Sequence, residues 1–102
     1  MFDLDDLSFE WDEEKDRIDF TKHGIRFKTA AKVFLDPDLL VREDVEHPDE
    51  SRYDVLGNIG KIIFVVCTFR RNNVIRLISA RKSDAKGGSE VQVYRYGEDD
   101  FE

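Results

Sequence analysis

The segment Val74–Lys82, VIRLISARK, combines strand-forming residues with three cations, Arg76, Arg81 and Lys82. Val74, Ile75, Leu77 and Ile78 are the β-branched and bulky apolar types that favour a pleated strand. A strand that only packs rarely carries three cations. With a period of two, Arg76, Ile78, Ala80 and Lys82 share one face, and Ile75, Leu77, Ser79 and Arg81 share the other. Arg52 falls on another expected strand, with Tyr53, Tyr94 and Tyr96 as aromatic company. Guanidinium forks suit phosphate oxygens, and aromatic faces suit unstacked RNA bases. Metal-free RNA cleavage needs one group to take the 2′-hydroxyl proton and another to protonate the leaving 5′-oxygen. It also needs cations for the charge developing on the phosphorus oxygens. His23, Glu90, Tyr94 and Lys82 are the candidate proton-transfer groups, and Arg76 and Arg81 the candidate phosphate clamps. Ion pairs with nearby acids would account for the same arginines without any ligand.

Other chemistries find little support. The two histidines, His23 and His47, are far apart and have no partner cysteine pair, so no metal-site spacing appears. There is no Gly-rich phosphate loop and no cofactor motif, and no cofactor is expected. The single cysteine, Cys67, lies in an apolar strand run and is expected to pack as a buried thiol. No apolar run approaches the length of a membrane span, and the acidic start MFDLDDLSFE lacks the features of a signal peptide. These features favour a cytoplasmic protein that does not engage a membrane.

The net charge of −7 conceals a division. Asp3, Asp5, Asp6, Glu98, Asp99, Asp100 and Glu102, at the two ends, account for all of it. Residues 9–51 carry −6 and residues 52–97 carry +6. The second half is therefore suited to attract a polyanion locally, or else to neutralise the first half across the fold.

The elements that must position these residues follow in chain order. At 102 residues the chain is expected to form one domain, with mobile acidic tails at 1–8 and 98–102. Phe9–Trp11 suits an edge strand. Asp12 is a helix N-cap with Glu13 and Glu14 in the first turn, and Lys22, His23 and Gly24 are a C-terminal signature. In that helix Trp11, Ile18 and Phe20 supply a narrow apolar stripe. Phe27, Ala30, Ala31 and Phe34 lie on one face of a second short helix, with Val33 and Leu35 widening it. Leu39–Arg42, Arg52–Ile59, Lys61–Phe69 and Val74–Lys82 read as strands, with Lys61–Phe69 central. Gly57–Gly60 and Arg70–Asn73 read as turns. Glu43–Glu50 is an acidic loop, Ser83–Ser89 a loop, and Glu90–Tyr96 a strand or a short helix. This order predicts an α+β domain, with two N-terminal helices packed on one face of an antiparallel sheet of four to five strands.

Three blocks, FEWDEEK at Phe9–Lys15, KHGI.F at Lys22–Phe27 and RLISARK at Arg76–Lys82, together resemble the BrnT toxin family. A..VF.DP at Ala30–Pro37, E.RY at Glu50–Tyr53 and Gly57 agree with it. The resemblance implies a RelE-like fold and a metal-independent endoribonuclease that inhibits translation. It implies a BrnA-like antitoxin partner, and operator DNA bound only through that antitoxin. Arg76 and Arg81 would then stabilise the transition-state phosphate, and Lys15, His23, Arg52 and Lys82 would line or support the RNA path. Ser79 would either permit close packing or offer a hydroxyl to phosphate. Glu90 and Tyr94 keep the spacing of the family's E...Y helix. The chain departs from the family pattern at Asp19, where an asparagine is usual, and in a longer segment after Lys82 containing Gly87-Gly88. Those departures motivate an alternative: a catalytically weak or silent module that acts as an antitoxin-bound co-repressor.

Overall fold

The computed structural model describes residues 7–43 and 51–83. Strand β1 (Ser8–Glu10) leads into helix α1 (Glu13–His23). A single turn of helix, α2 (Phe27–Ala30), tightens into a 3-10 segment at Ala31–Leu35. Four strands follow: β2 (Leu40–Glu43), β3 (Arg52–Asn58), β4 (Ile62–Arg70) and β5 (Val74–Lys82). They form one sheet in the order β1-β5-β4-β3-β2, with β4 central as its apolar run suggests. From β2 to β5 consecutive strands pair antiparallel, but β1 lies parallel to β5. The sheet is therefore mixed, which corrects the expectation of an antiparallel one. The helical segments between β1 and β5 supply the crossover that a parallel neighbour requires. The acidic loop beyond Glu43, and the loop and final element expected after Ser83, lie outside the described residues.

Local chemistry sets the helix ends. Asp12 caps α1 by accepting a hydrogen bond from the Lys15 amide at 3.1 Å. Gly24 stops the helix in the left-handed conformation, φ 75°, where its amide donates to the Phe20 carbonyl. The face that α1 buries is unexpected. Ile18 and Phe20 are about two-fifths exposed, whereas Asp16 and Asp19 are buried. Both carboxylates bond to backbone elsewhere in the fold. Asp16 Oδ1 accepts from the Phe27 amide at 2.8 Å, taking a free N–H at the start of α2. Asp19 Oδ2 accepts from the Ala80 amide of β5 at 3.0 Å.

The apolar core joins Ile25, Phe27, Ala30, Val33 and Phe34 to Val55, Ile63, Val65, Cys67, Ile75, Leu77 and Ala80. Phe9 and Trp11 flank it, with Phe9 5.5 Å from Phe34 and Trp11 edge-on to Phe27 at 6.2 Å between ring centroids. Leu35 does not join the stripe expected of it. The change from α to 3-10 geometry turns Val33 and Phe34 inward and leaves Leu35 exposed. Cys67 is buried as expected, and burial, with Asp54 as a lesser cause, pushes its thiol up to about 12. A thiol so far from ionising is a packing group rather than a nucleophile.

Gly57 lies within β3 rather than in the turn, which begins after Asn58. A Cβ at Gly57 would sit 2.5 Å from Val33 Cβ and about 3 Å from the Val33 backbone. The glycine thus allows the 3-10 segment to lie directly on the sheet. Because backbone forms part of that contact, no rotamer change relieves it. Gly57→Ala should destabilise the fold by about 1–3 kcal/mol, the usual cost of overpacking a tight core. The lower midpoint would be read by urea unfolding followed by circular dichroism, with an unchanged m-value.

Candidate functional site

Strict alternation puts Arg76 with Lys82 on one face of the sheet and Arg81 on the other. The structure instead puts Arg76 with Arg81 and turns Lys82 to the opposite face. The register runs Val66↔Ser79 and then Cys67↔Leu77, so Ile78 is an extra residue on β5, a β-bulge. Beyond the bulge the alternation is reversed. Arg76 lies opposite Thr68, Ser79 opposite Val66 and Arg81 opposite Phe64. Those three β4 positions alternate with the buried core residues Val65 and Cys67, so Arg76, Ser79 and Arg81 share the face away from the core.

On that face one rung crosses four strands. Arg52 of β3 is opposite Thr68 of β4, Thr68 is opposite Arg76 of β5, and Arg76 is opposite Glu10 of β1. At about 4.8 Å per strand, Arg52 and Arg76 are roughly 10 Å apart at their backbones, with Thr68 between them. Arg70, two residues along β4, joins them on the same side. The rung floors a cleft of about 500 Å³ whose lining includes Ser51, Arg52, Thr68, Arg70, Arg76 and Ile78. Thr68 Oγ1 is buried and has no hydrogen-bond partner among the described residues. Ser51, at the rim, holds a left-handed φ of 51°, an uncommon state for a residue with a Cβ.

The cations of the cleft are not unopposed. Glu10 Oε2 accepts from Arg76 Nη1 at 3.2 Å and pairs with Arg70 Nε at 3.3 Å. Each guanidinium has further N–H groups beyond the one Glu10 takes. Farther along the same face, the Arg81 guanidinium lies 4.7 Å above the Phe64 ring centroid. Arg42 pairs with the buried carboxylate of Asp54 at 3.0 Å on the neighbouring strands.

The sequence candidates therefore separate into two groups. Arg52 and Arg76 meet in the cleft, and Arg81 and Ser79 continue its face along β5. Lys15, His23 and Lys82 lie with α1. Lys15 Nζ donates to Asp19 Oδ1 at 3.1 Å. His23 is the exposed last residue of α1. Lys82 Nζ approaches the C-terminal end of that helix, 3.9 Å from the position a Cβ on Gly24 would occupy. A cation there also complements the helix dipole. Glu90 and Tyr94 lie outside the described residues. Three participants were not legible beforehand: Arg70, which sequence placed in a turn, Thr68 and Glu10. Only the register between strands reveals them. Glu10 in particular would require knowing that β1 pairs with β5.

Asp19 holds the two groups in relation. Its two oxygens bind Lys15 and the Ala80 amide, one residue before Arg81 and just past the bulge. Asp19→Ala would leave a buried amide unpaired and should cost about 1–3 kcal/mol. Asp19→Asn keeps an acceptor for Ala80 and should cost less. Chemical denaturation of both variants checks this order.

A family model described as "Ribonuclease toxin, BrnT, of type II toxin-antitoxin system" matches residues 11–87. Among solved structures, the ribonuclease toxin BrnT of Brucella abortus, determined at 1.1 Å resolution, is similar to this fold. Its TM-score is 0.63 and its sequence identity 25%, over 76% of this chain and 97% of that one. No curated relative matches the chain significantly by sequence.

Proposed function

Because this chain belongs to the BrnT family of ribonuclease toxins from type II toxin–antitoxin systems, we propose that it is a metal-independent endoribonuclease that inhibits translation by cleaving RNA. The observation that carries this reading is the Arg52–Thr68–Arg76 rung at the floor of the cleft. A phosphodiester resting there would meet two guanidinium forks from opposite sides. As the 2′-oxygen attacks phosphorus, charge grows on the non-bridging oxygens, and donors already aimed at them favour that state over the ground state. Arg76, Arg52 and Arg70 are assigned to the reacting phosphate. Arg81 and Ser79 are assigned to the adjoining backbone along β5.

The proton-transfer roles are assigned to Glu90 and Tyr94, and His23, at the end of α1 beside Lys82, to the RNA path rather than to proton transfer at this phosphate. Lys15 and Lys82 would support the RNA path from the α1 side. The partner in this reading is a BrnA-like antitoxin that covers the toxin and alone contacts operator DNA, and the setting is the cytoplasm. Asp19, though it replaces an amide, fills a structural role with both oxygens and is compatible with activity. One observation favours the second reading, a silent co-repressor module: Glu10 already engages two of the cleft arginines.

Cleavage of single-stranded RNA in the presence of EDTA separates the two readings. The wild-type protein should cleave, and Arg76→Ala should lower the rate by about 10²–10³-fold, the usual loss on removing one transition-state donor. Its thermal unfolding should stay close to that of the wild type. RNA left intact by the wild type would favour the co-repressor.

A further inference from the structure

We propose that Glu10 is a built-in counter-anion of the arginine cleft, a brake that lowers its affinity for the phosphodiester of single-stranded RNA. The inference rests on the reading of that cleft as the phosphate site. The geometry has three parts. First, a single oxygen, Glu10 Oε2, lies 3.2 Å from Arg76 Nη1 and 3.3 Å from Arg70 Nε. Two guanidiniums sharing one anionic oxygen is the contact a non-bridging phosphate oxygen would make.

Second, Glu10 is not enclosed. Its side chain is 42% exposed, and Arg76 and Arg70 are 34% and 55% exposed. The carboxylate can therefore be displaced into water, or stay and repel an arriving phosphate. In either case the bound state loses part of the attraction that the arginines would otherwise supply.

Third, the carboxylate is not what holds β1 in place. That strand is fixed by its parallel ladder to β5 and by Phe9 and Trp11 against the core. An acid on a short edge strand, in register with Arg76, is thus free to serve the cleft. The brake is a charge effect, so an isosteric neutral side chain releases it while keeping the shape of the site.

The test is the equilibrium binding of a short 2′-O-methyl RNA, which cannot be cleaved through its 2′-oxygen. Fluorescence anisotropy follows binding to the wild type, Glu10→Gln, Glu10→Ser and Arg76→Ala across a salt series. Both Glu10 variants should bind more tightly than the wild type, by roughly three- to thirtyfold at low salt, and the gain should shrink as salt screens it. The slope of log K against log salt should steepen by up to about one released counter-ion. Thermal unfolding of each variant confirms that it is folded. If Arg76→Ala weakens binding while both Glu10 variants bind no better than the wild type, the brake is overturned and the phosphate site stands. If Arg76→Ala binds as well as the wild type, the phosphate site falls, and the brake with it.

Discussion

The two carboxylates that α1 buries organise the rest of the fold. Strand β1 covers the outer edge of β5 only as far as Arg76. Beyond that point the backbone amides of β5 need another partner, because a buried unpaired N–H costs about as much as a lost hydrogen bond. Asp19 supplies it at Ala80. Asp16 does the same for the first amide of α2. A helix whose apolar residues Ile18 and Phe20 stay about two-fifths exposed is thus fastened at two points by carboxylates. Those two bonds set the position of α1 against β5 and the direction in which the chain enters α2.

Fixing β5 in this way has an electrostatic consequence. Two residues before Ala80 the strand carries the bulge at Ile78, and the bulge brings Arg76, Ser79 and Arg81 to one face. Without the extra residue, Arg81 would point toward the core, where a guanidinium could not be solvated. With it, the apolar positions Ile75, Leu77 and Ala80 face inward and Arg76 and Arg81 face away. The rung from Arg52 to Glu10 then gathers positive charge at one end of the sheet, offset in part by a carboxylate from the edge strand. Three cations of residues 52–83, Arg52, Arg70 and Arg76, are thereby brought together.

Much of this was legible in the sequence because local chemistry determines it. The cap at Asp12, the stop at Gly24, the central apolar strand and the buried Cys67 follow from residue types and spacing. The resemblance over Phe9–Lys82 indicated the family. What could not be read depends on pairing between distant strands. A bulge leaves no mark in VIRLISARK, so the alternation of its faces was assigned wrongly past Ile78. A parallel edge strand cannot be told from an antiparallel one by a three-residue segment. Asp16 and Asp19 look like ordinary solvated helix positions until the amides they accept from are known. Arg70 reads as part of a turn because hairpin signals surround it, yet it ends β4 within the cleft.

The central claim is that Arg52, Arg70 and Arg76 form one phosphodiester site. The most direct measurement is a titration of ¹⁵N-labelled protein with 2′-O-methyl RNA, followed at the arginine Nε–Hε resonances. The account predicts that Arg52, Arg70 and Arg76 shift together along one binding curve, while Arg17 and Arg26, on the α1 side, stay in place. Shifts confined to Arg17 and Arg26, with the cleft arginines unmoved, would contradict it.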